Sequence, residues 1–162
     1  MRARALVRKR IAVVVMAGIV MVGATACLPD TQAGGPADPT LAGVYQALNS
    51  DRAANGLPAL TYSPKLANLA QGWAQQMAAS GTLYHQDLGA LVGKGNFSAY
   101  WTMGENILVG PGNMSGAQME ALWMGSPDHR SKILSPNFNV VGAGAVHGPD
   151  GRVWAVLDFG GL

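Results

Sequence analysis

The chain has 162 residues, of which 49% are hydrophobic and 12% charged, which suits one domain with its own core and excludes a disordered chain. The formal charge is +2, but five of the eleven Lys and Arg residues precede residue 11 and all nine Asp and Glu residues follow residue 26. The remainder therefore has a formal charge of −3 and only scattered basic residues, which excludes a nucleic-acid partner.

The first 26 residues have the pattern of a cleavable signal peptide. A basic stretch, Met1 to Arg10, precedes sixteen uncharged residues, 11–26, whereas a membrane-spanning helix needs roughly 20 apolar residues. The stretch ends in Ala24-Thr25-Ala26, which resembles a signal-peptide cleavage site. The pattern predicts an exported protein, with an uncleaved signal anchor as the alternative.

Cys27 follows directly and is the only cysteine of the chain. This leader resembles that of bacterial lipoproteins, although Ala24 stands where leucine is more usual. The resemblance implies that Cys27 becomes a lipid-modified N-terminus on the outer face of the cell membrane. Secretion with a free Cys27 is the alternative, but an unpaired thiol is a liability in an oxidising compartment.

Residues 27–40 are rich in Pro, Gly and Asp and predict a flexible tether before a folded domain, 41–162. Apolar residues at helical spacing predict a first helix from Leu41 to just before Gly56. Ser63 followed by proline predicts the start of a second helix, which ends at Gly81. Trp73 lies on the apolar face of that helix and is expected in the core.

Residues 82–113 are expected to be rich in loops. A third helix is predicted from about Ser115, with Trp123 buried, and Ser126 with its following proline predicts a short fourth helix. Two alternating stretches, 140–146 and 153–159, flank a Gly-Pro-Asp-Gly turn and predict a hairpin. Few strands with flanking helices indicate an α+β fold with a small antiparallel sheet.

Three residues stand out chemically: His85 in the predicted loop, Glu105 in Gly104-Glu105-Asn106-Ile107, and His129 in the fourth helix. Histidine suits metal ligation and proton transfer because its pKa lies near neutrality. Their wide separation in the sequence does not by itself place them together. His147, just before the hairpin turn, is assigned to the surface.

From residue 41 to residue 162 the chain resembles the bacterial branch of the CAP superfamily, which includes cysteine-rich secretory, antigen-five and pathogenesis-related proteins. The motifs that carry the resemblance occur in order: Leu48-Asn49 with Arg52 and Gly56-Leu57, Gly104 to Ile107, Trp123 with Ser126 to Arg130, Val141-Gly142, and Asp158 to Gly160. It implies an α-β-α sandwich in which His85, Glu105 and His129 share a surface cleft. Two departures are Asp128 in place of glycine, and Ser126 where many eukaryotic members carry a second glutamate.

The resemblance implies an envelope protein that binds a lipid, a cell-envelope component or another protein without catalysis, so no catalytic residue is assigned. The alternative is a site for zinc or another divalent cation at His85, Glu105 and His129, with hydrolase activity. A nucleophilic Ser126 is disfavoured because a helix N-cap uses the same oxygen, and the sequence lacks the Gly-x-Ser-x-Gly and His-Glu-x-x-His motifs. The ligand and the oligomeric state stay open.

Overall fold

The computed structural model describes residues 30–162, so the predicted signal peptide and Cys27 lie outside the described residues. The described part contains four α-helices and one four-stranded sheet, which confirms the α+β class. In chain order these are α1 Pro39–Ala54, β1 Thr61–Tyr62, α2 Pro64–Ser80, β2 Thr102–Pro111, α3 Gly116–Gly125, α4 Pro127–Ile133, β3 Val140–His147 and β4 Arg152–Gly161.

Helices α2, α3 and α4 begin after the predicted serines, whereas α1 begins at Pro39 with Asp38 as its N-cap, two residues before the predicted start at Leu41. Ser63 accepts a hydrogen bond from the Leu66 amide at the start of α2, and Ser115 begins α3 with a capping box. Ser126 occupies the N-cap position of α4, but its hydroxyl makes no capping hydrogen bond, contrary to the prediction. Pro127 fixes the first helical φ there, so this seven-residue helix begins without the side-chain cap.

The sheet has the order β1-β3-β4-β2 and is mixed, which corrects the prediction of an antiparallel sheet. β3 and β4 form the predicted hairpin, and β2 pairs antiparallel with β4, whereas the two-residue β1 pairs parallel with β3. The ten-residue β2 falls in the stretch expected to be loops. Its buried Glu105 and Asn106 interrupt the apolar alternation that would have revealed a strand.

Helices cover both faces of this sheet, as the α-β-α resemblance implies. Helix α2 packs on β3 and β4 from one side, and α1, α3 and α4 enclose the larger core on the other. An added Cβ at Gly142 would lie 2.0 Å from the Ala67 amide nitrogen, and one at Gly144 would lie 2.3 Å from that of Gln71. The helix backbone therefore rests directly on β3.

The two tryptophans predicted to be core anchors differ in burial. Trp123 in α3 is 1% exposed and donates from Nε1 to the Ile107 carbonyl at 3.1 Å. Trp73 in α2 is only half-buried, at the border of the smaller core, which corrects the expectation that it is a fully buried anchor.

The described part of the predicted tether lies against the domain. The Gln32 amide donates to the Tyr62 carbonyl at 2.8 Å, extending the edge of the sheet at β1. Asp30 forms an ion pair with Lys65 at 2.5 Å, and Pro36 is buried. These contacts fall within the predicted tether, and its flexibility stays a prediction. Among residues 30–162, no helix has the length and apolar character needed to cross a membrane.

Candidate functional site

An exposed histidine meets a buried glutamate at the surface of the sheet. His85 lies in the loop after α2, and Glu105 lies in β2. The Nδ1 atom of His85 is 2.5 Å from Oε1 of Glu105. The side chain of His85 is 57% exposed, whereas that of Glu105 is only 3% exposed. The pair therefore connects solvent to a carboxylate inside the protein.

Gln86 joins Glu105 to a second buried acid, Asp158. The Gln86 amide donates to Glu105 Oε1 at 3.2 Å, and its side-chain Nε2 donates to Oε2 at 2.8 Å. The same Nε2 lies 2.8 and 3.0 Å from the two Asp158 oxygens. Asp158 is fully buried in β4, directly opposite Glu105 in the strand register. Both Glu105 oxygens are thus satisfied by neighbouring donors.

The buried position of Asp158 affects its ionisation. Burial raises the pKa of Asp158 well above its usual range, the neighbouring Glu105 charge adds to this, and the Gln86 hydrogen bond opposes it. The fold therefore disfavours the ionised form of Asp158.

His129 lies beside this network, in α4. Burial lowers its pKa, and the positive charges of Lys132 and His85 lower it further, so its imidazole is neutral at pH 7. Its backbone carbonyl accepts a hydrogen bond from Asn106 Nδ2 at 3.0 Å. Because Asn106 follows Glu105 in β2, this bond ties the start of α4 to the site.

Of the three predicted residues, His85 and Glu105 are in hydrogen-bond contact. His129 is joined to β2 through its backbone carbonyl, and the His85 charge contributes to lowering its pKa. Within residues 30–162, no three His, Cys, Asp or Glu side chains are grouped so as to hold a metal ion. Metal binding by the three residues stays a prediction.

Trp73 fixes the loop that carries His85. Its Nε1 donates to the Tyr84 carbonyl at 2.8 Å, and the two rings meet edge to face at 4.9 Å between centroids. Leu83 and Tyr84 are 44% and 39% exposed, so apolar surface adjoins the exposed histidine. His147 ends β3 on the surface, as predicted, with Nε2 2.7 Å from the Gly112 carbonyl oxygen.

Sequence reasoning missed Gln86 and Asp158 as members of the site. An aspartate within the otherwise apolar β4 was a usable signal, because a buried acid needs partners. Gln86 carried no such signal, since a glutamine in a loop is ordinarily a solvated residue. Gln86 joins the site because the fold brings Glu105 of β2 and Asp158 of β4 to its side-chain amide.

The sequence model of CAP, the cysteine-rich secretory protein family, matches residues 45–159. The chain belongs to the CAP family. A curated relative, the uncharacterized protein YkwD of Bacillus subtilis, is 30% identical over 119 residues. That match covers 68% of this chain and 43% of YkwD, so the chain spans less than half the length of this relative.

Solved structures share the CAP fold. An outer surface protein from Borrelia burgdorferi has a TM-score of 0.56 at 17% identity, covering 73% of this chain and 89% of that protein. An extracellular protein with an SCP domain from Bacillus anthracis has a TM-score of 0.57 at 22% identity, covering 74% and 39%. At these identities the likeness establishes the α-β-α architecture of the domain.

Proposed function

We propose that this CAP-domain protein is exported and acts at the cell envelope as a non-enzymatic binding module. Its ligand contacts the surface formed by His85 and His129. The observation that carries the proposal is the exposed His85 imidazole held by the buried Glu105. The outer-surface and extracellular relatives support the location, and lipid attachment at Cys27 supplies the link to the membrane.

The cost of the buried acids supports a role beyond folding. Withdrawing carboxylates from water costs several kcal/mol per charge, and an apolar cross-strand pair at this register would avoid that cost. Glu105 and Asp158 are instead retained, and Gln86 bonds to both. Through Glu105 they orient the His85 imidazole at the surface, because a carboxylate bonded to Nδ1 fixes the tautomer and the direction of the ring.

The chemistry of the surface favours a polar group flanked by apolar parts. With Nδ1 engaged, Nε2 is the His85 ring atom left for a ligand, and the neutral His129 ring offers a second donor or acceptor. The exposed Leu83 and Tyr84 beside them favour an amphipathic partner. A lipid head group with its adjoining chain, or an envelope glycolipid, has both properties.

The arrangement favours binding over hydrolysis. A serine nucleophile needs a base within hydrogen-bond distance, and among residues 30–162 the Ser126 hydroxyl forms no hydrogen bond to a histidine. Glu105 is already bonded to His85 and Gln86, so it is poorly placed to activate water.

A divalent cation is the second candidate ligand, favoured by the neutral His129 beside His85. Imidazole nitrogens suit zinc, so His85 and His129 would be its ligands, with Glu105 orienting His85 rather than ligating. Bound zinc would supply Lewis acidity. Two protein ligands would hold it more weakly than the three or four of typical zinc sites.

The test is binding of purified full-length protein to separated lipid, glycan and protein fractions of a bacterial envelope. We expect His85→Ala to weaken binding to one fraction at least tenfold, about 1.4 kcal/mol, while the matched control His147→Ala binds as wild type. Equal binding by all three proteins would contradict the proposed surface. Mass spectrometry of the recovered fraction would reveal a chemically altered ligand, which would overturn the non-enzymatic role.

Zinc titration by calorimetry tests the second candidate with the same variants. Binding heat that His85→Ala abolishes and His147→Ala retains would support a cation at the two histidines. Heat that persists in His85→Ala would place the ion elsewhere, and the absence of heat in wild type would reject the candidate.

A further inference from the structure

We propose that the end of the sheet carrying Trp101 and Leu162 rests on the membrane surface, an inference that depends on the lipid attachment at Cys27 proposed above. This surface is called the Trp101 end. The partner is the lipid bilayer itself, contacted at the level of its head groups. The inference combines the place where the chain joins the domain with the residues exposed there.

The chain reaches the domain at a fixed point. Asp30 is paired with Lys65, and two residues later the Gln32 amide bonds to the Tyr62 carbonyl. Burial raises the pKa of Tyr100 to about 12, the Ser63 hydrogen bond opposes this, and the Asp30 carboxylate near the same hydroxyl adds to it. Asp30 is therefore held between Lys65 and Tyr100.

That point lies at the same end of the sheet as Trp101. The strand register places Thr61, Val140, Gly160 and Met103 in one row across the four strands. Asp30 contacts the domain beside this row, through Lys65 and Tyr100. Trp101 follows Tyr100 directly, and its amide donates to the Gly161 carbonyl at 3.0 Å.

The length of the connection leaves little freedom. Three residue steps separate Cys27 from Asp30, a span of at most about 10 Å. A domain of this size has a radius of gyration of about 14 Å. A lipid on Cys27 would therefore hold this end of the sheet, and not the far end of the hairpin, against the bilayer.

The exposed residues at this end suit the membrane interface. Trp101 is 62% exposed, the largest value among the exposed large apolar residues of the described chain, and the adjacent Leu162 is 37% exposed. Tryptophan concentrates at head-group depth because its ring is apolar and its N–H is polar. The Asp30 charge, which would oppose contact with anionic lipids, is neutralised by Lys65.

The test uses the full chain, produced in a bacterial host that processes lipoproteins and reconstituted into phosphatidylcholine–phosphatidylglycerol vesicles. Part of the lipid carries bromine on the upper acyl chain, which quenches nearby tryptophan fluorescence. We expect quenching in wild type that Trp101→Phe removes and the matched control Trp123→Phe, at a tryptophan buried in the core, retains. No quenching in wild type, or quenching unchanged in Trp101→Phe, would overturn the proposal.

A second sample distinguishes a lack of lipid attachment at Cys27 from a lack of bilayer contact by the Trp101 end. Mass spectrometry of the N-terminal peptide reports whether Cys27 is acylated, and an unmodified Cys27 would refute the proposed attachment. Because Cys27 is the only cysteine, the same protein can then be coupled through its thiol to a maleimide lipid. Quenching in that sample, with and without Trp101→Phe, judges the Trp101 end independently of cellular processing.

Discussion

The domain buries Glu105 and Asp158 in the sheet and Glu120 between two helices, and these acids differ in their hydrogen bonds. In the sheet, Glu105 accepts three hydrogen bonds from His85 and Gln86 and faces Asp158. Between α1 and α3, Glu120 is equally buried at 3% exposure and lies beside Asp51. Its Oε1 receives no hydrogen bond from the described residues. Glu105 has donors supplied from a loop, whereas Glu120 has another acid, Asp51, as its neighbour.

The two buried glutamates also differ in whether they contact an exposed side chain. Glu105 connects to solvent through the exposed His85, so its burial orients a surface group. Burial raises the pKa of Glu120 to about 8, the hydrogen bond to Asp51 and its charge add to this, and no exposed donor is engaged. Glu120 therefore costs stability without orienting a surface group.

Removing the sheet acid should have the largest effect. Glu105→Ala removes the acceptor of His85 Nδ1 and of the Gln86 backbone amide, and leaves Gln86 Nε2 with Asp158 alone. We expect the free energy of unfolding at pH 7 to fall by about 2–4 kcal/mol. Urea unfolding measures it, with the exposed Asp150→Ala as the control that changes an acid outside the site. A loss in Glu105→Ala no greater than that of the control would mean that the network contributes nothing to folding.

Replacing Glu120 in α3 with a neutral residue should have the opposite effect and stabilise the domain. Because the pKa of Glu120 rises from 4.5 to about 8 on folding, the native state binds more protons within that window and stability falls as pH increases through it. Glu120→Gln should therefore be more stable than wild type at pH 9 by about 1–3 kcal/mol, with a smaller difference at pH 5. Urea unfolding of both proteins at the two pH values measures the change.

Stabilisation by Glu120→Gln at pH 9 would distinguish the two buried glutamates, because Glu105→Ala is expected to destabilise the domain. An equal difference between Glu120→Gln and wild type at pH 5 and pH 9 would contradict a raised pKa for Glu120. Asp158, whose pKa is also raised, is present in both proteins, so its own pH dependence cancels in the comparison.

Removing the hydrogen bond by which Trp73 supports the His85 loop should have the smallest effect on stability. Trp73→Phe keeps an aromatic ring against Tyr84 but loses the 2.8 Å bond to the Tyr84 carbonyl, at a cost of about 1 kcal/mol. Amide hydrogen exchange should accelerate in residues 82–87. Trp123→Phe is the matched control, because it loses an equivalent indole bond to Ile107 in the core. Equal exchange in the loop of both variants would show that Trp73 does not hold it.

The sequence predicts the helices well because their ends are chemically explicit. Ser63 with Pro64, Ser115, and the left-handed Gly81 are local signals that need no tertiary context. The hairpin is equally local. The family match adds the three-layer arrangement, which periodicity alone does not provide.

The remainder depends on contacts that local patterns do not encode. β2 has a strand conformation because β4 pairs with all ten of its residues, despite Glu105 and Asn106 in its centre. The proximity of His85 to Glu105 follows from the loop after α2 passing beside β2, and the Gln86 bridge follows from that proximity. The docking of residues 30–38 likewise depends on Tyr62 and Lys65, more than twenty positions away.

The contact between α2 and the glycines of β3 also sets rules for engineering this domain. Any side chain at Gly142 or Gly144 would displace α2, and with it Trp73 and the loop that presents His85. A library aimed at new ligand preferences should therefore keep both glycines fixed. It should place its diversity at Leu83 and Tyr84, which border the histidine and are already open to solvent.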